Sequence, residues 1–168
     1  FDCAGDWLAA TLDVAPGKTG LLIVSGGNEL RCGPHGSMAA LAADLAALGH
    51  PVLRFDPPGV GESEGKNEGF RARSDAIRAA IEALRAEAPH VTRIVAMGNC
   101  DGAAALLLDD FDVDTLILCN PWTRDDMGTS SLTHAEISAP ALPSAAAIRQ
   151  RYWARLKQPG RLLRDVLG

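Results

Sequence analysis

Apolar residues occur in short continuous runs that alternate with longer stretches of helical spacing. The run from Gly20 to Ser25 is apolar on both faces, which is typical of a strand buried in a parallel sheet. Similar runs predict three further strands, at residues 51–56, 92–97 and 115–119. Apolar positions three and four residues apart predict helices between them, at residues 38–48, 74–87 and 102–108. Strands and helices in alternation predict an α/β fold with a mostly parallel sheet and helices on both faces.

The pattern changes after residue 122. Residues 123–143 are polar and contain no clear strand, whereas the chain from Ala145 onward has helical spacing and six basic residues against one acidic residue. This segment predicts a helical lid over a site. Pro159-Gly160 interrupts it too early for a long membrane-surface helix, so we expect no membrane contact. The predicted domains are therefore a core at 1–122 and the start of a cap or lid insertion at 123–168.

Composition and charge narrow the class of protein. Hydrophobic residues make up 47% of the 168 residues and charged residues 22%, which is ordinary for a globular protein. The net charge of −5 argues against a nucleic-acid partner, since phosphate binding needs clustered basic residues. No apolar run reaches the roughly 18 residues that span a bilayer, and the start resembles no signal peptide. We therefore expect a cytoplasmic protein.

Both ends of the sequence suggest part of a longer protein. The chain begins with Phe1 rather than Met, and an apolar helical pattern continues to the last residue. We therefore expect the fold to be incomplete at its C-terminus.

The strongest chemical signal is Gly98-Asn99-Cys100-Asp101-Gly102, which lies between a predicted strand and a predicted helix. It matches the G-x-S-x-G nucleophile elbow with Cys100 in place of serine. Glycines flank the nucleophile because side chains there would clash with the neighbouring strand and helix. The helix N-terminus favours a thiolate, and the N–H of Asp101 would supply half of an oxyanion hole. The alternative is that Cys100 is a small, inert residue buried in a tight turn.

A second element, Gly26-Gly27-Asn28, follows the first strand, where this architecture places the other oxyanion donor. Gly27 or Asn28 could offer that N–H. The same glycines would also suit a tight turn that needs positive φ. His35 lies nearby, at the start of the next helix, and is interpreted as a cap or surface residue.

A cysteine nucleophile needs a base that is oriented by an acid. Asp125 and Asp126 follow the fourth predicted strand and could serve as the acid, and His134 is the only histidine after Cys100. None of these residues lies in a segment whose pattern predicts a rigid helix or strand to hold it, so they are weak candidates. The simpler interpretation places the acid and the histidine beyond Gly168.

No metal or cofactor is predicted. The four cysteines form no CxxC pair, which argues against a structural zinc site and favours free thiols. Residues 57–65 contain Gly59-x-Gly61, but Glu62 and Glu64 would repel a phosphate, so a structural turn is the better interpretation. A redox protein would need a second thiol near Cys100, and Cys119 is the one plausible partner.

These residues resemble the α/β-hydrolase superfamily over about residues 18 to 122. More closely, the chain is similar to the exosortase A system-associated hydrolases of type 1. That resemblance rests on four segments: residues 23–27, residues 51–56, Gly98-Asn99-Cys100-Asp101 and Asn120-Pro121-Trp122. It implies an α/β-hydrolase-type sheet and a cytoplasmic bacterial hydrolase, acting on an acyl ester or thioester, linked to exopolysaccharide and protein-sorting gene clusters.

Two hypotheses follow. In the first, Cys100 attacks an ester or thioester carbonyl of a small-molecule or acyl substrate, and Asp101 with Gly27 or Asn28 holds the oxyanion. In the second, the chain is a binding or accessory protein on a hydrolase scaffold, because the acid and histidine are not evident. The sequence does not predict an oligomeric state.

Overall fold

The computed structural model describes residues 1–121 of the chain. These residues form seven strands: β1 (Asp2–Cys3), β2 (Asp6–Trp7), β3 (Ala10–Asp13), β4 (Thr19–Val24), β5 (Val52–Phe55), β6 (Arg93–Asn99) and β7 (Thr115–Cys119). They also form three α-helices: α1 (Ser37–Ala47), α2 (Ser74–Glu87) and α3 (Asp101–Leu107). Short 3-10 turns at Pro34–Gly36 and Phe70–Ala72 precede α1 and α2.

Five strands form one sheet in the order β3-β5-β4-β6-β7. All neighbouring pairs are parallel except β3 with β5, while β1 and β2 form a separate antiparallel pair. The four predicted strands and three predicted helices are all present, with ends that differ by at most about two residues. The prediction of a mostly parallel sheet is confirmed.

Helices cover both faces of this sheet, also as predicted. Helix α1 packs on one face through Ala42, against Leu21, Ile23 and Val52. Helices α2 and α3 pack on the other face, where the larger cluster includes Leu22, Val24, Phe55, Ile77, Leu84 and Leu106. Alternate residues of β4 therefore serve opposite cores, which explains why its whole sequence is apolar.

The sequence analysis did not predict β3, which pairs with β5 as the antiparallel edge strand. Its Ala10 and Leu12 pack against the larger core, and Thr11 and Asp13 alternate with them. This strand is only four residues long, so its alternation is too brief to stand out. Asp13 has a specific partner, because Arg54 of β5 donates to its Oδ2 from Nη2 at 2.9 Å and Nε at 3.2 Å.

The predicted boundary between residues 122 and 123, and the predicted lid beyond it, lie outside the described residues. Within residues 1–121, no helix is both long enough and apolar enough to cross a membrane.

Candidate active site

Cys100 occupies the sharp turn between β6 and α3. Its backbone angles, φ 55° and ψ −122°, lie in a region that non-glycine residues rarely adopt and that costs about 1–3 kcal/mol. The Cys100 N–H donates to the Cys119 carbonyl at 2.9 Å, and the Cys100 carbonyl accepts from the Ala104 N–H at 3.2 Å. The turn is thus tied to both the sheet and the helix. Cys100 is half-buried at the carboxyl end of the sheet.

The flanking glycines are required because backbone approaches them closely. A Cβ on Gly98 would lie 2.6 Å from the Ala103 nitrogen, and one on Gly102 would lie 2.5 Å from the Val24 carbonyl oxygen. Gly26 is equally constrained, since its Cβ would lie 2.7 Å from the Asn99 oxygen and 3.1 Å from the Cβ of Cys100. The turn after β4 therefore packs directly against the elbow.

Gly27 and Asn28, in the turn after β4, have different hydrogen-bond partners. The Gly27 N–H donates to Oδ1 of Asp101, so the donor predicted for an oxyanion is paired with a carboxylate in this structure. The exposed Asn28 accepts a hydrogen bond on Oδ1 from Nδ2 of Asn67, at 2.7 Å. Gly27 has φ 55°, which confirms that the turn needs a positive φ.

Asp101 is the first residue of α3, so its own N–H has no acceptor within the helix. That N–H directly follows Cys100, which is the position predicted for one oxyanion donor. The structure thus brings Cys100, Asp101 and Gly27 together at one edge of the sheet, with Asn28 beside them.

A buried arginine that the sequence analysis missed underlies the same turn. Arg73, at the start of α2, is 2% exposed and donates to the carbonyls of Ser25 at 2.9 Å and Gly27 at 2.7 Å. Its Nη1 lies 3.5 Å from Oδ1 of Asp101. Burial lowers the pKa of Arg73 from its ordinary value, and the Asp101 charge opposes that shift. In the sequence, Arg73 looks like its exposed neighbour Arg71, so nothing local distinguishes it.

The candidate base and acid, His134 and Asp125, lie outside the described residues. Three histidines are described. His50 and His90 bond to the Thr19 and Ala15 carbonyls and precede β5 and β6, at the edge of the sheet opposite Cys100. His35 is exposed in the turn before α1, as expected. Within residues 1–121, no histidine makes a hydrogen bond to Cys100.

The loop after β5 closes on itself around a buried carboxylate. Asp56 is fully buried and accepts the Arg31 N–H at 2.6 Å and the Glu62 N–H at 3.2 Å, while the Arg31 side chain also bonds to it. Ser63 Oγ donates to the Asp56 carbonyl at 2.6 Å. A carboxylate fills the inside of this loop, which agrees with a structural turn and not with a phosphate site.

All four cysteines are free thiols, and Cys119 is exposed next to the elbow. Among residues 1–121, no group of three or more His, Cys, Asp or Glu side chains is arranged to hold a metal ion.

A parallel sheet flanked by helices, with a strained nucleophile-type residue between strand and helix, defines the α/β-hydrolase fold. A sequence profile of the alpha/beta hydrolase family matches residues 21–168, and the chain belongs to this family. The comparison with curated proteins gives no match.

Solved structures of hydrolases share the fold. The α/β hydrolase GrgF from Penicillium sp. sh18 has 24% identity and a TM-score of 0.62, over 72% of this chain and 44% of its own. The Pyrococcus furiosus esterase Pf2001 has 20% identity and a TM-score of 0.59, over 69% and 45%. Est1E from Butyrivibrio proteoclasticus, solved with ferulic acid, has 25% identity and a TM-score of 0.53, over 64% and 44%. The chain thus spans less than half the length of these three proteins.

Proposed function

We propose that this protein hydrolyses ester or thioester bonds with Cys100 as the nucleophile. The observation that supports this most is the strained turn that holds Cys100 between β6 and α3, beside the first free N–H of a helix. A cysteine gains nothing for stability in such a backbone conformation, so the strain is better explained by function than by packing.

The reaction proceeds in two steps, acylation of Cys100 and hydrolysis of the acyl-enzyme. The Cys100 sulfur attacks the carbonyl carbon, a C–S bond forms, and the C–O or C–S bond to the leaving group breaks. The leaving alcohol or thiol takes up the proton that the thiol released. Water then attacks the acyl-enzyme, which frees the carboxylic acid and restores the thiol.

Charge on the carbonyl oxygen is stabilised by the Asp101 N–H and by an N–H from the Gly26–Asn28 turn. The acid and base that move the proton are not among residues 1–121. Asp125 and His134 remain weak candidates for these roles.

An acyl substrate agrees with the relatives. Est1E was solved with ferulic acid, a carboxylic acid, and Pf2001 is named as an esterase. We further propose that the chain belongs to the exosortase A system-associated hydrolases and works in the cytoplasm. The support is the Cys-Asp elbow together with Asn120-Pro121-Trp122.

The test compares hydrolysis of p-nitrophenyl acetate and of an acetyl thioester by the complete wild-type protein, by Cys100→Ala and by Cys32→Ala. Cys32 is a half-buried free cysteine in the loop between β4 and α1, so its removal controls for loss of a thiol. We expect Cys100→Ala to lower kcat by more than about 10³-fold and Cys32→Ala to leave it unchanged. Equal rates in all three proteins would refute the proposal and favour a binding or accessory protein.

A further inference from the structure

We propose that Arg73 and the Asp101 carboxylate form a positioning pair, which fixes the Gly26–Asn28 turn and leaves the Asn28 N–H as the second oxyanion donor. This inference rests on the proposed function, because it concerns how the same site stabilises an oxyanion.

Gly27 is fixed at both of its backbone polar groups. Its N–H donates to Oδ1 of Asp101, and its carbonyl accepts from Nη2 of Arg73 at 2.7 Å. The Ser25 carbonyl, two residues earlier, accepts from Nη1 of the same arginine at 2.9 Å. One guanidinium therefore spans the turn, and one carboxylate joins that turn to the residue after Cys100.

The orientation of the Asn28 N–H follows from these contacts. The described peptide bonds contain no cis bond, and in a trans peptide the C=O and the next N–H point in opposite directions. Because Arg73 holds the Gly27 carbonyl toward the buried side, the Asn28 N–H must point away from Arg73. This N–H makes no hydrogen bond to any part of the protein between residues 1 and 121.

The chemistry of Arg73 also points to positioning. Burial lowers its pKa, the Asp101 carboxylate oxygen is 3.5 Å away, and its Nε has no partner among the described residues. A buried cation held mainly by neutral carbonyls gains little net stability. The arrangement instead fixes the direction of the peptide groups whose carbonyls belong to Ser25 and Gly27. An oxyanion hole requires peptide groups that are fixed in this way.

The alternative is that the Asp101 carboxylate inhibits the site. Its Oδ1 occupies the Gly27 N–H that the sequence analysis offered to the substrate, so it could block the hole instead of building it. The two roles predict changes of opposite sign. If Asp101 is a positioning residue, Asp101→Asn lowers the rate, and if it blocks the hole, Asp101→Asn raises it.

The test measures the pre-steady-state burst, kcat and KM with p-nitrophenyl acetate for wild type, Arg73→Met, Arg73→Lys and Asp101→Asn. Arg78→Met is the matched control, since Arg78 lies in the same helix and is half-exposed. Rates are expressed per site counted by the burst, so that a loss of folded protein does not enter them. We expect Arg73→Met to lower kcat by up to about 10²-fold with little change in KM, since small displacements of reacting groups have effects of that size. Arg73→Lys should recover part of this loss, Asp101→Asn should show a smaller loss, and Arg78→Met should show none.

A second readout needs no activity. In ¹⁵N-glycine-labelled protein, the Gly27 amide resonance should shift in Asp101→Asn and Arg73→Lys and stay in place in Arg78→Met. An unchanged kcat per site in Arg73→Met, a faster Asp101→Asn, or an unshifted Gly27 resonance would each overturn the positioning pair. Equal rates in wild type and Cys100→Ala would instead refute the proposed function, and the inference would fall with it.

Discussion

Two arginines are buried among residues 1–121, and they differ in what surrounds them. Arg54 makes two hydrogen bonds to the carboxylate of Asp13, at 2.9 and 3.2 Å, and one to the Arg31 carbonyl. Arg73 binds two carbonyls closely, whereas its carboxylate neighbour within residues 1–121, Asp101, is 3.5 Å away. The first cation is neutralised and joins β3 to β5. The second is poorly neutralised and holds a turn beside Cys100.

This difference distinguishes a buried arginine that stabilises the sheet from one that orients a turn beside the candidate nucleophile. A closely paired ion pair between neighbouring strands gives the sheet a defined register. A cation that binds peptide carbonyls instead fixes the orientation of those peptide groups.

The largest change in stability should come from Asp13→Ala. This variant leaves Arg54 buried without its carboxylate, and we expect the free energy of unfolding to fall by about 3 kcal/mol. Arg54→Met removes the charge altogether and should cost much less, because the cation no longer needs a partner. Urea unfolding measures both variants, with the exposed Asp112→Ala as a control that should show no measurable change. Equal losses in Asp13→Ala and Arg54→Met would contradict this account of Arg54.

A smaller change should distinguish two glycines of the candidate site. A Cβ on Gly102 would lie 2.5 Å from the Val24 oxygen and 2.9 Å from the Ser25 oxygen, so Gly102→Ala must displace α3 or β4. We expect a loss of about 2–3 kcal/mol in the free energy of unfolding. Gly27 has open space around its Cβ position, so Gly27→Ala meets only the strain of a positive φ, about 1 kcal/mol. Thermal unfolding would contradict the close approach of α3 to β4 if the two variants lost equal stability.

The smallest change should be at the surface pair of Arg78 and Asp109, 2.7 Å apart. Two hydrogen bonds lower the pKa of Asp109 below its ordinary value of 3.8. The larger effect comes from the Arg78 side chain and the smaller from the Asp110 N–H. A carboxyl group whose pKa is lower in the folded state stabilises the fold above the unfolded pKa and loses that effect as the pH falls. Wild type should therefore be slightly more stable than Asp109→Asn at pH 6, and the difference should vanish below the folded pKa. A difference that grew on acidification would contradict this sign.

The sequence was sufficient for most of the sheet and for the position of the elbow. Strands such as β4 are apolar throughout, and the glycines at 98 and 102 stand at the spacing that a strand-to-helix turn requires. These features are local, so a pattern of a few residues is enough to predict them. Strand β3 escaped prediction because four residues carry too little periodicity.

The contacts within the site could not be predicted in the same way. Arg73 meets Gly27 across 46 residues of sequence, and Asp101 meets Gly27 across 74. Such contacts depend on which strands become neighbours, and no local pattern encodes that choice. The sequence analysis accordingly proposed the Asp101 N–H as a donor but had no signal for the role of its carboxylate.

The most direct test of the central claim is to locate the acyl group on the protein during the first turnover. The full chain is mixed with p-nitrophenyl acetate, quenched in acid and analysed by peptide mass mapping, in a Cys119→Ser background that removes the exposed thiol. Burial, with Asp75, Asp2 and Asp6 nearby, raises the pKa of Cys3, so we expect this thiol to react more slowly than Cys100. The account predicts one acetyl group, on the peptide that contains Cys100. Acetylation of other residues with Cys100 unmodified would contradict it.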